Sequence, residues 1–219
     1  MSHRRDRYPT LLEPLEVRRL LCTSHFGDAR AMEELSASQV AEARQSSPTV
    51  TNTPSFIRRI NFQPDGSNPV PDFYRVDTGA PYGLRSNGLT YGWSADNRDG
   101  RDRNVLDDQR YDTFHHLQKN GANYSWEMLV PNGTYTVRVV VGDPSYHDSV
   151  YRVNVEGQLA VNFTPSAGNR FGEGTVTVTV NDERLTVSNA AGAVNNKIAF
   201  LEICGGGAPL PVVSLTASD

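Results

Sequence analysis

The stretch GTVTVTVND, residues 174–182, repeats apolar and polar residues with a period of two. Side chains on a strand point alternately to opposite faces, so this run fits a half-buried β-strand and no helix. The same period recurs along the second half of the chain. NYSWEMLV (123–130) sets Trp126, Met128 and Val130 against Ser125, Glu127 and Leu129. TYTVRVVVGD (134–143) puts Tyr135, Val137, Val139 and Val141 on one face. SVYRVNVEG (149–157) carries Val150, Val153 and Val155 in broken step, which predicts a β-bulge near Tyr151-Arg152. LAVNF (159–163), RLTVSN (184–189) and KIAFLEI (197–203) complete the series, with turns such as PNG (131–133) between them. FIRRINF (56–62) opens it. Short alternating strands at such spacing, with no helical pattern between the later ones, predict an all-β domain, a β-sandwich of jelly-roll type.

Residues 64–122 are rich in Gly, Asp, Asn and Arg and only patchily periodic. A structureless loop of that size in a compact domain is usually functional or misread. Short strands are expected near YGL, LTYGW and YDTFHHL, with DNRDGRDRN (96–104) as a polar hairpin tip. The first 55 residues differ in character. ARAMEELSASQVAEARQ (29–45) reads as a weak helix, and SSPTVTNTPS (46–55) as a Ser/Thr/Pro linker. The sandwich is therefore placed at 56–204, and GGGAPLPVVSLTASD (205–219) is read as a Gly/Pro linker entering a further strand or truncated repeat.

Composition excludes some functions. A net charge of −4 leaves no basic footprint for nucleic acid. No apolar run is long enough to span a membrane. Cys22 and Cys204 lie near opposite ends of the chain and are expected to stay unpaired.

GDPSYHDS (142–149) gathers Asp, Ser and His, the ingredients of a hydrolase. Yet Pro144 separates Asp143 from Ser145, a strand follows in place of a helix, and no G-x-S-x-G elbow occurs. His147 and Ser149 would face one way along a strand and Asp148 the other, so no local triad is offered. Carboxylate pairs for glycoside cleavage can be drawn from 25 acidic residues, but Glu127, Glu156 and Glu173 sit on or beside alternating strands where a solvated face is the default. His115-His116 has no partners at zinc-ligand spacing. No cofactor is expected, although the Asp/Asn-rich loops leave room for a structural Ca²⁺ without naming its ligands.

Saccharide binding asks for different groups: an aromatic face under a pyranose, and amides, carboxylates or guanidinium groups forked onto hydroxyls. The loops supply Tyr82, Tyr91 and Trp93; Tyr111 and Asp112; Asp143, Tyr146 and His147; and Asn195, Asn196 and Lys197.

Two resemblances add to this reading. LEPLEVRRLLC, from Leu12, is similar to the short N-terminal LEPRxLLS-type segment of large secreted or surface proteins of planctomycete bacteria, and it implies an extracytoplasmic location. From Ile60 to Ile203, the stretches INFQP, DTGAPYG, LTYGW, YDTFHHLQ, WEMLVPNGTYTVRVVVGDPSY, SVYRVNVEGQ and RLTVSNAAGAVNNKIAFLEI resemble malectin-like domains and related galactose-binding-like carbohydrate-binding modules. That resemblance implies a jelly-roll sandwich whose loops at one end bind a sugar. In such domains the loop matching 143–148 brings aromatics to the ligand, and the loop before the last strand brings a polar group. These positions fall on Tyr146 and on Asn195 and Asn196. This chain has Ser145-Tyr146 in place of malectin's paired aromatics and asparagine in place of its acid.

The expected function is thus non-catalytic binding of a polysaccharide or oligosaccharide by an exported or surface protein, acting as a monomer. Tyr91, Trp93, Tyr111, Asp143, Tyr146, His147, Asn195 and Asn196 are the expected contacts. The alternatives are a structural or adhesive spacer module, or the remnant of a polysaccharide-degrading lyase or glycosidase.

Overall fold

The computed structural model describes residues 56–205, and within them almost every regular element is a β-strand. The expected N-terminal segment, helix and linker, and the strand after 205, lie outside the described residues. Five strands form one sheet: β13 (Phe171–Val180), β10 (Gly133–Gly142), β16 (Phe200–Gly205), β1 (Ile57–Phe62) and β2 (Arg75–Asp77), in that order. Six form the facing sheet: β12 (Gln158–Phe163), β11 (Tyr151–Val155), β14 (Arg184–Asn189), β9 (Trp126–Leu129), β4 (Thr90–Trp93) and β3 (Gly83–Leu84). The chain is a β-sandwich, as its alternation predicts.

The alternation also sets the register. Tyr135, Val137 and Val139 of β10 lie opposite Val178, Val176 and Gly174 of β13, and Val137 and Val139 opposite Ile203 and Leu201 of β16. One slipped residue would turn all these valines to solvent. From the facing sheet come Trp126, Met128, Val153, Val155, Leu185 and Val187, each at most 1% exposed. Together they fill the space between the layers.

β11 alternates more simply than expected. Tyr151, Val153 and Val155 all point inward. The irregularity lies opposite: the register with β12 shifts between Val153 and Asn154, passing from Val161 to Leu159 and leaving Ala160 as the extra residue. The bulge expected at Tyr151-Arg152 is corrected accordingly, because the Tyr151 ring occupies an inward place that the sequence pattern had assigned to aliphatics alone. Cys204 is disulfide-bonded, which corrects the expectation that it stays unpaired. The other cysteine, Cys22, lies outside the described residues.

The 64–122 stretch is largely ordered against the sandwich. Residues around Val70–Tyr74 and the single-turn helix α1 (Gln109–Asp112) cover the outer face of the five-stranded sheet. There Tyr74, Val140, Ala199 and Phe200 make a second small core, with Tyr111 edge-on to Phe200 and to Phe171. This explains why β16 is buried on both faces: Leu201 and Ile203 face the main core, Phe200 and Glu202 the second one. Buried Glu202 is held by the Tyr74 hydroxyl and by Arg138. β5 (Arg101–Asp102), β6 (Thr113–His116) and β15 (Lys197–Ile198) form a three-stranded strip at one end of the sandwich, and β7 (Gln118–Lys119) pairs with β8 (Ala122–Asn123) beside it.

DNRDGRDRN is accordingly no free hairpin tip. Asn97 is buried and donates from Nδ2 to the His116 carbonyl, while its own carbonyl meets His115 Nδ1 at 2.7 Å. Gly100 lies so close to the His115 ring that a Cβ there would strike it.

Candidate functional site

The eight expected contact residues divide by burial. Tyr91 and Trp93 are 2% and 1% exposed, so neither can offer a face to a sugar, and the expectation for both is corrected. The cause is Asp77. This buried carboxylate accepts from Trp93 Nε1 at 2.9 Å, from Trp126 Nε1 at 2.8 Å and from the Gly79 amide at 2.7 Å. Burying the Trp93 ring satisfies its N–H and the carboxylate together, as buried polar groups require. Tyr91 turns inward likewise: its ring packs near Trp126 and its hydroxyl donates to the Val76 carbonyl at 3.0 Å. Burial raises the Tyr91 hydroxyl above its usual range.

Asn196 is fully buried, a further correction. Its Nδ2 donates to the Arg152 carbonyl at 2.8 Å and to Asn189 Oδ1 at 2.9 Å. Tyr111 is half-buried and wedged between Phe171 and Phe200, so it serves the second core. Asp143 is buried too, but as the hub of an ion-pair network.

That network stands where β10 ends. Arg103 grips Asp143 with two parallel hydrogen bonds, Nε to Oδ1 at 3.0 Å and Nη2 to Oδ2 at 2.7 Å. Lys197 Nζ reaches Asp143 Oδ2 at 3.1 Å and Asp148 Oδ1 at 3.3 Å. The Ser145 amide adds a bond to Asp143 Oδ1 at 3.0 Å. Burial would push the Asp143 carboxyl upward, but Arg103, Lys197 and the amide outweigh it and hold the group below the usual carboxylate range. Arg103 and Lys197 both lie over the buried Phe114 ring, at 5.2 and 5.4 Å from its centroid. Beside Lys197 on the paired strand is His116, whose Nδ1 has no partner. Burial and the nearby Lys197 and Arg101 charges lower it to about 4, so it is neutral at physiological pH.

Tyr146 rises out of this base, 53% exposed. The Arg103 guanidinium lies 4.7 Å from its ring centroid, a cation–π contact. His147 is exposed beside it, with Nδ1 3.2 Å from Arg170 Nη1. Half-buried Asn195 has a left-handed backbone, φ 49°, and its carbonyl accepts from the Ser149 hydroxyl at 2.9 Å. The structure therefore brings Asp143, Tyr146, His147 and Asn195 to the ends of β10 and β15, and leaves Tyr91, Trp93 and Tyr111 in packing roles.

The Asp, Ser and His of GDPSYHDS are not arranged as a hydrolase site. Asp143 bonds Arg103, Lys197 and a backbone amide, His147 meets Arg170, and Ser149 donates to a carbonyl. These three side chains are each tied to other groups, so no Ser-His-Asp relay joins them.

Arg103 and Arg170 were not among the expected contacts. Arg103 sits in the Asp/Arg-rich stretch whose arginines look committed to local carboxylates; Arg98 and Arg101 are, at Asp96 and Asp99. Its partner 40 residues on leaves no local signal. Two open concavities were also unforeseen. One, of about 520 Å³, is bordered by Asp96, Arg98, Asp99, Lys119 and Tyr124. The other, of about 480 Å³, is bordered by Gln118, Asn123, Tyr124, Ser125, Ser188 and Asn189. None of the eight expected residues lines either one.

No family model matches the chain, and no curated relative does either. Among solved structures, protein YXIM_BACsu from Bacillus subtilis is similar at 19% identity and TM-score 0.49, over 69% of this chain and 40% of its own. A crystal structure of plant peptide RALF23 in complex with FER and LLG2 aligns at 14% identity and TM-score 0.45, over 70% and 40%. A family 35 carbohydrate binding module from Clostridium thermocellum aligns at 12% identity and TM-score 0.35, over 56% and 96%. The chain thus spans less than half the length of the first of these.

Proposed function

We propose that residues 56–204 bind a polysaccharide or oligosaccharide without cleaving it, through the loops at the β10 and β15 ends of the sandwich. The observation that carries this reading is the exposed Tyr146 ring, held beside Arg103 by the buried Asp143–Lys197 network. An exposed aromatic with a guanidinium held next to it is a platform: the ring takes the C–H face of a pyranose, and the guanidinium N–H groups not spent on Asp143 take hydroxyls or an acidic substituent. A prepaid geometry of this kind lowers the entropy lost on binding. Asp143 is fully buried and spent on two cations, which supports a positioning role over a general-base role. An exported or surface location and a monomeric state belong to the same proposal; among the described residues no helix is long and apolar enough to cross a membrane.

The test is retention of the purified protein in gels containing neutral and acidic polysaccharides, with parallel assays for released reducing or unsaturated sugar. Binding to at least one polymer, weakened about tenfold by Tyr146→Ala, is expected, with no release. Release of sugar would overturn the non-catalytic part. Burial of Tyr91, Trp93 and Asn196 favours a second reading, a spacer module, and retention on no polymer would sink the binding reading in its favour.

A further inference from the structure

The concavity bordered by Tyr124 and β14 has a chemistry different from the Tyr146 platform. Its lining amides, Gln118, Asn123 and Asn189, are tied to one another and to the buried groups behind them. Gln118 Nε2 donates to Asn123 Oδ1 at 3.0 Å, Asn189 Nδ2 to the Leu117 carbonyl at 2.8 Å, and Asn196 Nδ2 to Asn189 Oδ1 at 2.9 Å. The Asn196 backbone N–H in turn donates to Gln118 Oε1 at 3.4 Å. These bonds fix the side chains before any ligand arrives. They also leave groups over. Among the described residues, the hydroxyls of Tyr124, Ser125 and Ser188 and Nδ2 of Asn123 have no hydrogen-bond partner.

Charge separates this place from its neighbours. No acidic or basic side chain lines it. The adjoining concavity is charged but neutralised within itself, Asp96 with Arg98 and Asp99 with Lys119. The nearby Arg152 guanidinium is bonded to the Ala191 carbonyl at 3.1 Å and does not line the basin, and no carboxylate lines it to receive a cation. The far wall is the turn Ala190–Ala193, whose side chains do not extend beyond Cβ, and which is tied down by Ala190 N to the Arg152 carbonyl at 2.9 Å and by Arg152 Nη1 to the Ala191 carbonyl at 3.1 Å. This leaves a shallow, rigid, uncharged basin with hydroxyl and amide groups free and one aromatic at its edge. At about 480 Å³ it is within the range of small-ligand sites, roughly 300–1,000 Å³.

We propose that this basin is a second saccharide site, selective for neutral sugars, in which Ser125, Ser188 and Asn123 meet hydroxyls and Tyr124 supplies the apolar edge. It rests on the carbohydrate reading of the domain but uses none of the Tyr146 platform.

The experiment is amide-resolved NMR titration of the protein with maltotriose, cellotriose, xylotriose and mannotriose, and separately with trigalacturonate. Saturable shifts at Tyr124, Ser125, Ser188 and Asn189 with at least one neutral sugar, and none there with trigalacturonate, are expected. Ala191→Trp, which fills the basin from an exposed turn, and Ser188→Val, which removes a hydroxyl, should each weaken that binding, the first at least tenfold. The spectra themselves report whether a variant is folded, and if one is not, the other decides. Shifts confined to residues 143–149 and untouched by both variants would overturn this site while leaving the proposed function standing. Trigalacturonate shifting the basin would overturn its neutral selectivity. Failure of the wild-type protein to bind any saccharide or polysaccharide would overturn both proposals together.

Discussion

At the scale of single residues, Asp77 does most to decide which aromatics are available for function. Its two oxygens accept three N–H groups, two of them from the chain's only tryptophans. An asparagine there would turn a donor toward one of these donors and strand it. Stranding a buried donor costs about 1–3 kcal/mol. Asp77→Asn should therefore lower unfolding free energy by that amount in urea titrations followed by tryptophan fluorescence, and a change below about 0.5 kcal/mol would show that the carboxylate is not needed. The sequence could not announce this. Period two tells that Tyr91 and Trp93 share a face of LTYGW, not which face is inside, and the residue that settles it lies 16 positions before Trp93. The exposed position of Tyr146 could be read because its loop follows a clear strand end. A titration also belongs to this scale. Burial, with Lys197 and Arg101 nearby, lowers His116 from 6.5 to about 4, so the unfolded chain takes up its proton first as pH falls. Stability should decline from about pH 6.5 down to about pH 4 and then level off as far as this residue is concerned. Burial lowers His115 as well. His116→Gln should make the slope shallower without abolishing it, measured as unfolding free energy against pH; an unchanged slope would assign the effect elsewhere.

At the scale of elements, strands with one open face show in the sequence which side is inward, and strands covered on both faces do not, although YDTFHHL and KIAFLEI can still be read as strands. β13 and β14 alternate because one side meets water. β6 reads TFHH and is buried at every position, so its sequence has no period to find. β16 is in the same position, enclosed between the main core and the second core. Fit between elements carries constraints of its own. β12 crosses β13 where Gly174 stands, and a Cβ at Gly174 would collide with the Ala160 carbonyl, in the bulged part of β12. Backbone cannot give way as the end of a flexible side chain can. Gly174→Ala should cost about 1–3 kcal/mol through overpacking. Gly168→Ala, where a Cβ meets nothing within 4 Å, is the control and should change little. Equal effects of the two, by urea denaturation, would mean that glycine's backbone freedom and not the close approach is what matters.

At the scale of the whole molecule, the two carboxylates that organise it do separate jobs. Asp77 ties the tryptophans into the core between the sheets, and Asp143 ties Arg103 and Lys197 into a platform where β10 ends. They share no partner among the described residues. Effects at sites with no shared partner generally add, and here they should also fall on different observables. Tyr146→Ala removes a half-exposed ring whose loss opens no cavity, so the urea midpoint should stay within about 0.5 kcal/mol of wild type while polymer retention falls about tenfold. Asp77→Asn should do the reverse at a temperature where the variant is still folded. Asp143→Ala joins the two, because it leaves Lys197, buried at 2% exposure, without its buried counter-charge and frees Arg103 from the ring. Breaking a buried pair in this way is costly, on the order of 3–5 kcal/mol. That variant should lose stability and retention together. The crossed comparison of retention and midpoint across the three variants is the measurement. A Tyr146→Ala protein that loses stability in step with binding would show that its ring caps the core and that the platform is not a binding surface.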